Sequence, residues 1–157
     1  MTSDCCVVNC YSGRMNDAPN PLSCGVVIVR RSESGVRYLL LRAYQYWDFP
    51  KGLMEQGEEP LAAAVREVEE ETTLVSLEFR WGYDFRETPP YGKLRKVARY
   101  YVAESLSGDI MLPVTEELGH PEHEEYRWMT FDEAQILVSA RVQPVLGWAR
   151  GVVECST

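Results

Sequence analysis

The chain has 157 residues, 45% of them hydrophobic and 11% aromatic, which suits one compact domain and excludes a disordered chain. A formal net charge of −8 excludes a global basic surface for duplex DNA, and no stretch approaches the roughly 20 consecutive apolar residues of a membrane-spanning helix. Five cysteines without regular spacing argue against a disulfide framework, two histidines cannot complete a zinc pattern, and a reducing, cytoplasmic setting is expected.

The opening stretch, residues 1–23, mixes Ser, Asn, Pro and Gly and lacks a basic region followed by an apolar core. It reads as a flexible N-terminal arm, with the folded domain spanning 24–157. "CGVVIVRR" (24–31) and "VRYLLLRAY" (36–44) are β-branched and aliphatic runs separated by "SESG", predicting a hairpin with a positive φ at Gly35. "YWDFPKG" (46–52) is aromatic and extended up to Pro50, which drives Phe49 away from helical geometry.

From Pro60 the period changes. "PLAAAVREVEEET" places Pro at the first helical position and continues with three alanines, and Leu61, Val65, Val68 and Thr72 recur as one buried stripe. At about 100° per residue, Glu67, Glu70 and Glu71 are expected to share the opposite, exposed face. Further strands are predicted in 74–87, 94–105, 125–131 and, more weakly, at "DIML" (109–112). A helix is expected from Asp132 to about Val138 behind a cap near Thr130, and another from about Gln143 to Val153. Strands, helix, strands and helices in that order predict an α+β domain, a mixed central sheet flanked by helices.

The run "REVEEE" (66–71) carries a cost. Glu67 and Glu71 are like charges at i,i+4, and no Lys or Arg follows within a turn to offset them. Carboxylates at i, i+3 and i+4 supply oxygen ligands for a hard divalent cation such as Mg²⁺ or Mn²⁺, which would remove that repulsion. The surrounding stretch, "GLMEQGEEPLAAAVREVEEETTL" (52–74), places Gly52, then Glu58, then Arg66, Glu67, Val68, Glu70, Glu71 and Leu74 at spacings that resemble the Nudix box, Gly-x5-Glu-x7-Arg-Glu-aliphatic-x-Glu-Glu-x-Gly-aliphatic. One fixed position departs: the last glycine is Thr73, so the helix is expected to close by another turn type, with local stability and not catalysis affected.

The resemblance implies the Nudix fold, an α/β/α sandwich, and hydrolysis of a nucleoside diphosphate linked to another group. It also implies a metal site made by Glu67, Glu70 and Glu71, with the backbone carbonyl of Lys51 or Gly52 as a further ligand, and a structural pairing of Glu58 with Arg66. Mg²⁺ is the implied cofactor, with Mn²⁺ as a substitute. A further acid from the region after the helix, Glu122 first and Glu125 second, would bind another metal or act as base. A solvated acidic loop is the plainer reading of "EELGHPEHEE", and His123 there is read as an ordinary charged-loop histidine.

"WDFPKG", "KVARYYVAE" (96–104) and "EHEEYRWM" (122–129) are similar to the asymmetrical diadenosine tetraphosphate hydrolase branch, whose RNA 5′-pyrophosphohydrolase cousins more often carry Gln in place of Lys51. A long polyphosphate needs cations on the wall facing the metals. Lys51, Lys93, Arg95, Lys96 and Arg99 could supply them; Lys51 and Lys93 are the candidates, while Arg95 and Arg99 read more simply as surface charges. Tyr91 and Tyr126 are candidates for stacking on adenine, although Tyr126 also fits a strand and Tyr91 a loop. The expected activity is cleavage of diadenosine tetraphosphate to ATP and AMP. Alternatives are RNA 5′-end pyrophosphate removal, cleanup of a modified nucleoside triphosphate, or a non-catalytic nucleotide-binding module. The expected partner is a small nucleotide, with neither membrane nor sequence-specific DNA binding.

Overall fold

The computed structural model describes residues 19–155. The expected N-terminal arm therefore lies mostly outside the described residues. Leu22 and Ser23 already belong to the first strand, β1 (Leu22–Ser32).

β1 is the spine of an eight-stranded mixed sheet. Along one side it runs parallel to β7 (Val97–Ser105), from Leu22↔Val97 to Val29↔Glu104. Its other side is shared: β4 (Lys51–Leu53) pairs with the first half, and β2 (Gly35–Ala43) forms the predicted hairpin with the second, turning at Gly35 with φ 113°. β3 (Tyr46–Asp48) and β8 (Glu125–Met129) extend the sheet from β2, while β5 (Leu77–Glu78) and β6 (Arg86–Glu87) attach to β7.

The alternation of side chains sorts the core into two layers. Val27, Val29, Tyr38, Leu40, Phe49, Tyr100 and Val102 pack on one face beneath α2 (Phe131–Leu137) and α3 (Gln143–Glu154). Cys24, Val26, Ile28, Leu39, Leu41, Tyr101 and Ala103 pack on the other beneath Ala63, Ala64 and Val68 of α1 (Pro60–Thr72). Both faces being covered explains why β1 reads as a continuous apolar run and not as an alternating one. The expected helix–sheet–helix sandwich is the observed fold.

Several sequence expectations change in detail. Residues 109–112 form no strand; Met111 N–H instead donates to Thr72 O at 3.2 Å, tying this segment to the end of α1. Within 74–87 just two two-residue ladders form, because most of the segment runs beyond the reach of β7 as an aromatic and arginine-rich loop. The α1 stripe is wider than drawn. Val68 and Thr72 are fully buried and Leu61 and Val65 partly so, but Ala63 and Ala64 are buried completely, since a methyl side chain lets the helix approach the sheet closely. α2 begins behind Thr130, whose hydroxyl accepts from Glu133 N–H at 3.2 Å in a capping box.

Two contacts fix α1 against β4 and the loop after it. The Arg66 guanidinium clasps Glu58 with two bonds of 2.7 and 2.9 Å and donates a third, of 3.1 Å, to Leu53 O. The hydrogen bonds from Arg66, with help from Glu55 N–H, hold the Glu58 carboxyl down at about 2. At the C-terminus Thr73 does not use another turn type: it adopts the left-handed conformation itself, φ 65°, with its N–H bonded to Glu69 O at 2.9 Å. Burial of the next residue, Leu74, at 5% exposure holds the chain in that turn.

A β-branched residue at positive φ is strained, so Thr73→Gly is expected to stabilise the protein by about 1 kcal/mol in urea unfolding; an unchanged or lower midpoint would show the strain to be absent. The Glu58–Arg66 clasp predicts a pH signature. Because the folded value of Glu58 is depressed from 4.5 to about 2, its contribution is complete above 4.5 and disappears as pH falls through 2. The stability gap between wild type and Glu58→Gln should therefore be widest near neutrality and close across that acid window, whereas a gap constant down to pH 2 would contradict the assignment.

Candidate active site

The box residues converge where the C-terminal half of α1 faces β4. Gly52 lies against Glu67, and a Cβ built on Gly52 would overlap the Glu67 carboxylate, so glycine is what lets helix and strand approach this closely. Lys51 N–H donates to Glu71 Oε2 at 3.1 Å across the same seam. Arg66, besides clasping Glu58, reaches Glu67 at 2.8 Å and Glu70 at 3.1 Å. This revises the expectation that no cation offsets the run: Arg66 stands ahead of the glutamates and bonds to two of them.

The three glutamates do not share one exposed face. Glu70 is exposed, Glu67 is partly buried, and Glu71 is 7% exposed. Glu71 sits at the margin of the apolar stripe, one turn beyond Val68, and β4 on one side with the 112–123 segment on the other close over that margin. Burial is the main reason its carboxyl is held well above the usual carboxylate range, with Glu122 and Glu67 adding to the effect. Glu67 is raised too, again chiefly by burial.

Glu122 arrives from the opposite wall. Oxygen atoms of Glu71 and Glu122 and a ring nitrogen of His123 all lie within 4.8 Å of one another. Together with Glu67, Glu70, Leu112, Pro113, Thr115 and Pro121 they line a recess of about 80 Å³. A buried carboxylate with two like-charged neighbours is a poor arrangement in water and a good one around a divalent cation, and the oxygen-rich donor set fits Mg²⁺ or Mn²⁺.

Of the remaining expected residues, Lys51 places its ammonium 3.7 Å from Asp48, near enough to the recess to lower Glu71 and His123. Tyr126 pairs in register with Leu41, which puts it on the α1 side of the sheet, 39% exposed. Tyr91 is different: it packs against the core on the α2–α3 side, and the Arg141 guanidinium lies 3.8 Å over one face of its ring. Lys93 is exposed on the loop between Tyr91 and Lys96 and makes no contact with the recess. Arg99 pairs with Glu87 at 3.0 Å and covers Phe85, in keeping with a structural charge. Glu125 is committed to Arg42 and Arg127 and does not line the recess.

One residue reads as ordinary in the sequence and another is not singled out there. His123 belongs to the acidic cluster, and burial lowers its pKa below the usual imidazole value. Asp48 joins the two faces of the sheet, accepting from Tyr100 Oη at 2.8 Å and from Arg141 at 3.5 Å while pairing with Lys51. Its place directly before "FPKG" was the available signal.

Residues 19–148 match the family model of the NUDIX domain. Among curated proteins the chain is 32% identical to the asymmetrical bis(5′-nucleosyl)-tetraphosphatase of Rattus norvegicus, over 71% of this chain and 80% of that one. It is 28% identical to an RNA pyrophosphohydrolase of Acidiphilium cryptum, over 76% of each. In three dimensions it resembles a C. elegans Ap4A hydrolase binary complex with a TM-score of 0.70 at 21% identity, covering 86% of this chain and 98% of the other. The family match over most of the chain, with the box acids gathered around one recess, makes this protein a member of the Nudix hydrolase family and a pyrophosphohydrolase.

Proposed function

We propose that the chain hydrolyses diadenosine tetraphosphate asymmetrically, to ATP and AMP, with a divalent cation, Mg²⁺ or Mn²⁺, held by Glu67, Glu70 and Glu71. The observation that carries this reading is the meeting of Glu71, Glu122 and His123 within one small recess beside Lys51. The bound cation would neutralise phosphate charge and lower the pKa of the attacking water.

The protein's own residues do the rest. Arg66 orients Glu67 and Glu70, and Lys51 N–H orients Glu71. Glu122 accepts no hydrogen bond from any other described residue and stands at the exposed side of the cluster, which supports it as the base that takes the proton as water attacks phosphorus. A P–O bond forms to the water oxygen and the anhydride P–O bond breaks, leaving a phosphate on each product. Lys51 supplies positive charge to the polyphosphate, with Lys93 reaching its outer phosphates from the loop. Tyr126, exposed on the α1 side, is the proposed stacking partner for adenine. Tyr91 is the second candidate for stacking, with Arg141 over one face of its ring. The Lys51 side chain, in place of the glutamine more usual in RNA 5′-pyrophosphohydrolases, favours the dinucleotide over RNA ends.

Incubation of the purified protein with diadenosine tetraphosphate and Mg²⁺ should yield ATP and AMP in equal amounts, and faster than pyrophosphate is released from triphosphorylated RNA. ADP alone, no turnover, or a preference for RNA would overturn the substrate assignment. Gly52→Ala, which pushes into Glu67, should cost about 10 to 100-fold in activity or Mn²⁺ affinity, the range seen when a group supporting a metal ligand is disturbed. Activity and affinity equal to wild type would show that Glu67 does not serve the site.

A further inference from the structure

The segment that closes the recess carries a group the reaction scheme does not yet use. Its two legs, Leu112–Thr115 and Pro121–His123, both line the recess, and a bridge between Val114 and Pro121 holds them together. Between the legs the chain turns tightly: Gly119 N–H donates to Thr115 O at 2.9 Å, Thr115 N–H to His120 O at 3.5 Å, and Gly119 has φ 70°. Ile110 and Leu112 pack against the α1-side core, and Met111 is tied to Thr72. Thr115 is thus held on rigid backbone opposite the glutamates.

Its hydroxyl oxygen is buried and has no hydrogen-bond partner among the described residues. An unsatisfied buried hydroxyl destabilises a fold, and valine would fill the same volume without that cost. Thr115 lines the recess beside four carboxylates and an imidazole, so its hydroxyl and the His123 ring N–H are the uncharged donors on that wall. What matches a donor there is an anionic oxygen brought in by substrate. We propose that Thr115 Oγ1 donates a hydrogen bond to a phosphate oxygen of the bound polyphosphate, making Thr115 a substrate-contacting residue of this site. The proposal rests on the polyphosphate reading above, and its test separates the two.

Wild type, Thr115→Val and Thr115→Ser are compared in four measurements: kcat/KM on the nucleotide that wild type cleaves best, affinity for a nonhydrolysable methylene-bridged dinucleotide with Ca²⁺, Mn²⁺ affinity without nucleotide, and Tm without metal or nucleotide. Thr115→Val should lose about tenfold or more in kcat/KM and bind the analogue more weakly, the effect of one hydrogen bond to a charged group. Its Mn²⁺ affinity should stay unchanged and its Tm equal to or above wild type, while Thr115→Ser keeps activity close to wild type. Activity and analogue affinity of Thr115→Val equal to wild type would overturn the assignment, as would a change in Mn²⁺ affinity, which puts the hydroxyl on the cation, or a lowered Tm, which gives it a structural partner. Failure of the substrate reading shows instead in the wild-type product analysis.

Discussion

The site depends on one costly placement: a carboxylate, Glu71, held at 7% exposure beside two others. Desolvation and like charge both oppose ionisation there, and the neutral Lys51 N–H compensates in part. Much around it serves that placement. Gly52 has no side chain because Glu67 occupies the space, Ala63 and Ala64 are small because the helix must lie close to the sheet, and Arg66 ties the following loop to the helix that carries all three acids.

Rigid and irregular parts divide the work. Glu67, Glu70 and Glu71 stand on a helix whose N-terminal half is buried against β1 and whose last turn is held by Leu74, so their spacing is set by backbone geometry. The opposite wall is loop. It is nonetheless anchored by the bond from Met111 to Thr72, by the Val114–Pro121 bridge, and by β8, which starts two residues after His123. Asp48 extends the network through the sheet, linking Lys51 beside the recess to Tyr100 and Arg141 on the α2–α3 face. A Nudix hydrolase built this way concentrates negative charge on one side of the sheet and leaves nearby positive charge to Lys51 and Arg66.

Legibility followed the range of the interactions. Gly52, Glu58, Arg66, Glu67, Glu70 and Glu71 could be singled out because they lie within one stretch whose spacing resembles the Nudix box, while local periodicity reported the helix that carries the three glutamates. The same periodicity misjudged Glu71, which lies at the margin of the apolar stripe, where the neighbouring segments decide between inside and outside. Strand limits in 74–87 were overdrawn for a related reason: Phe79, Trp81, Tyr83 and Phe85 have the composition of a strand, but a ladder needs a partner, and β7 offers one at just two places. His123, Asp48 and Thr115 carried no motif of their own.

By itself the sequence determined an α+β fold, a helix beginning at Pro60, and a spaced set of acids and a glycine on and before that helix. These are consequences of covalent spacing and backbone geometry. The folded structure alone decided which of those acids is buried, that Thr73 takes the left-handed turn in a glycine's place, that Arg66 answers for two glutamates as well as Glu58, and that a loop some fifty residues away brings Glu122, His123 and Thr115 to the same recess. Burial and charge pairing are sums over neighbours in space, and in this chain those neighbours come from β4, α1 and the 112–123 segment, which nothing in the linear order places side by side.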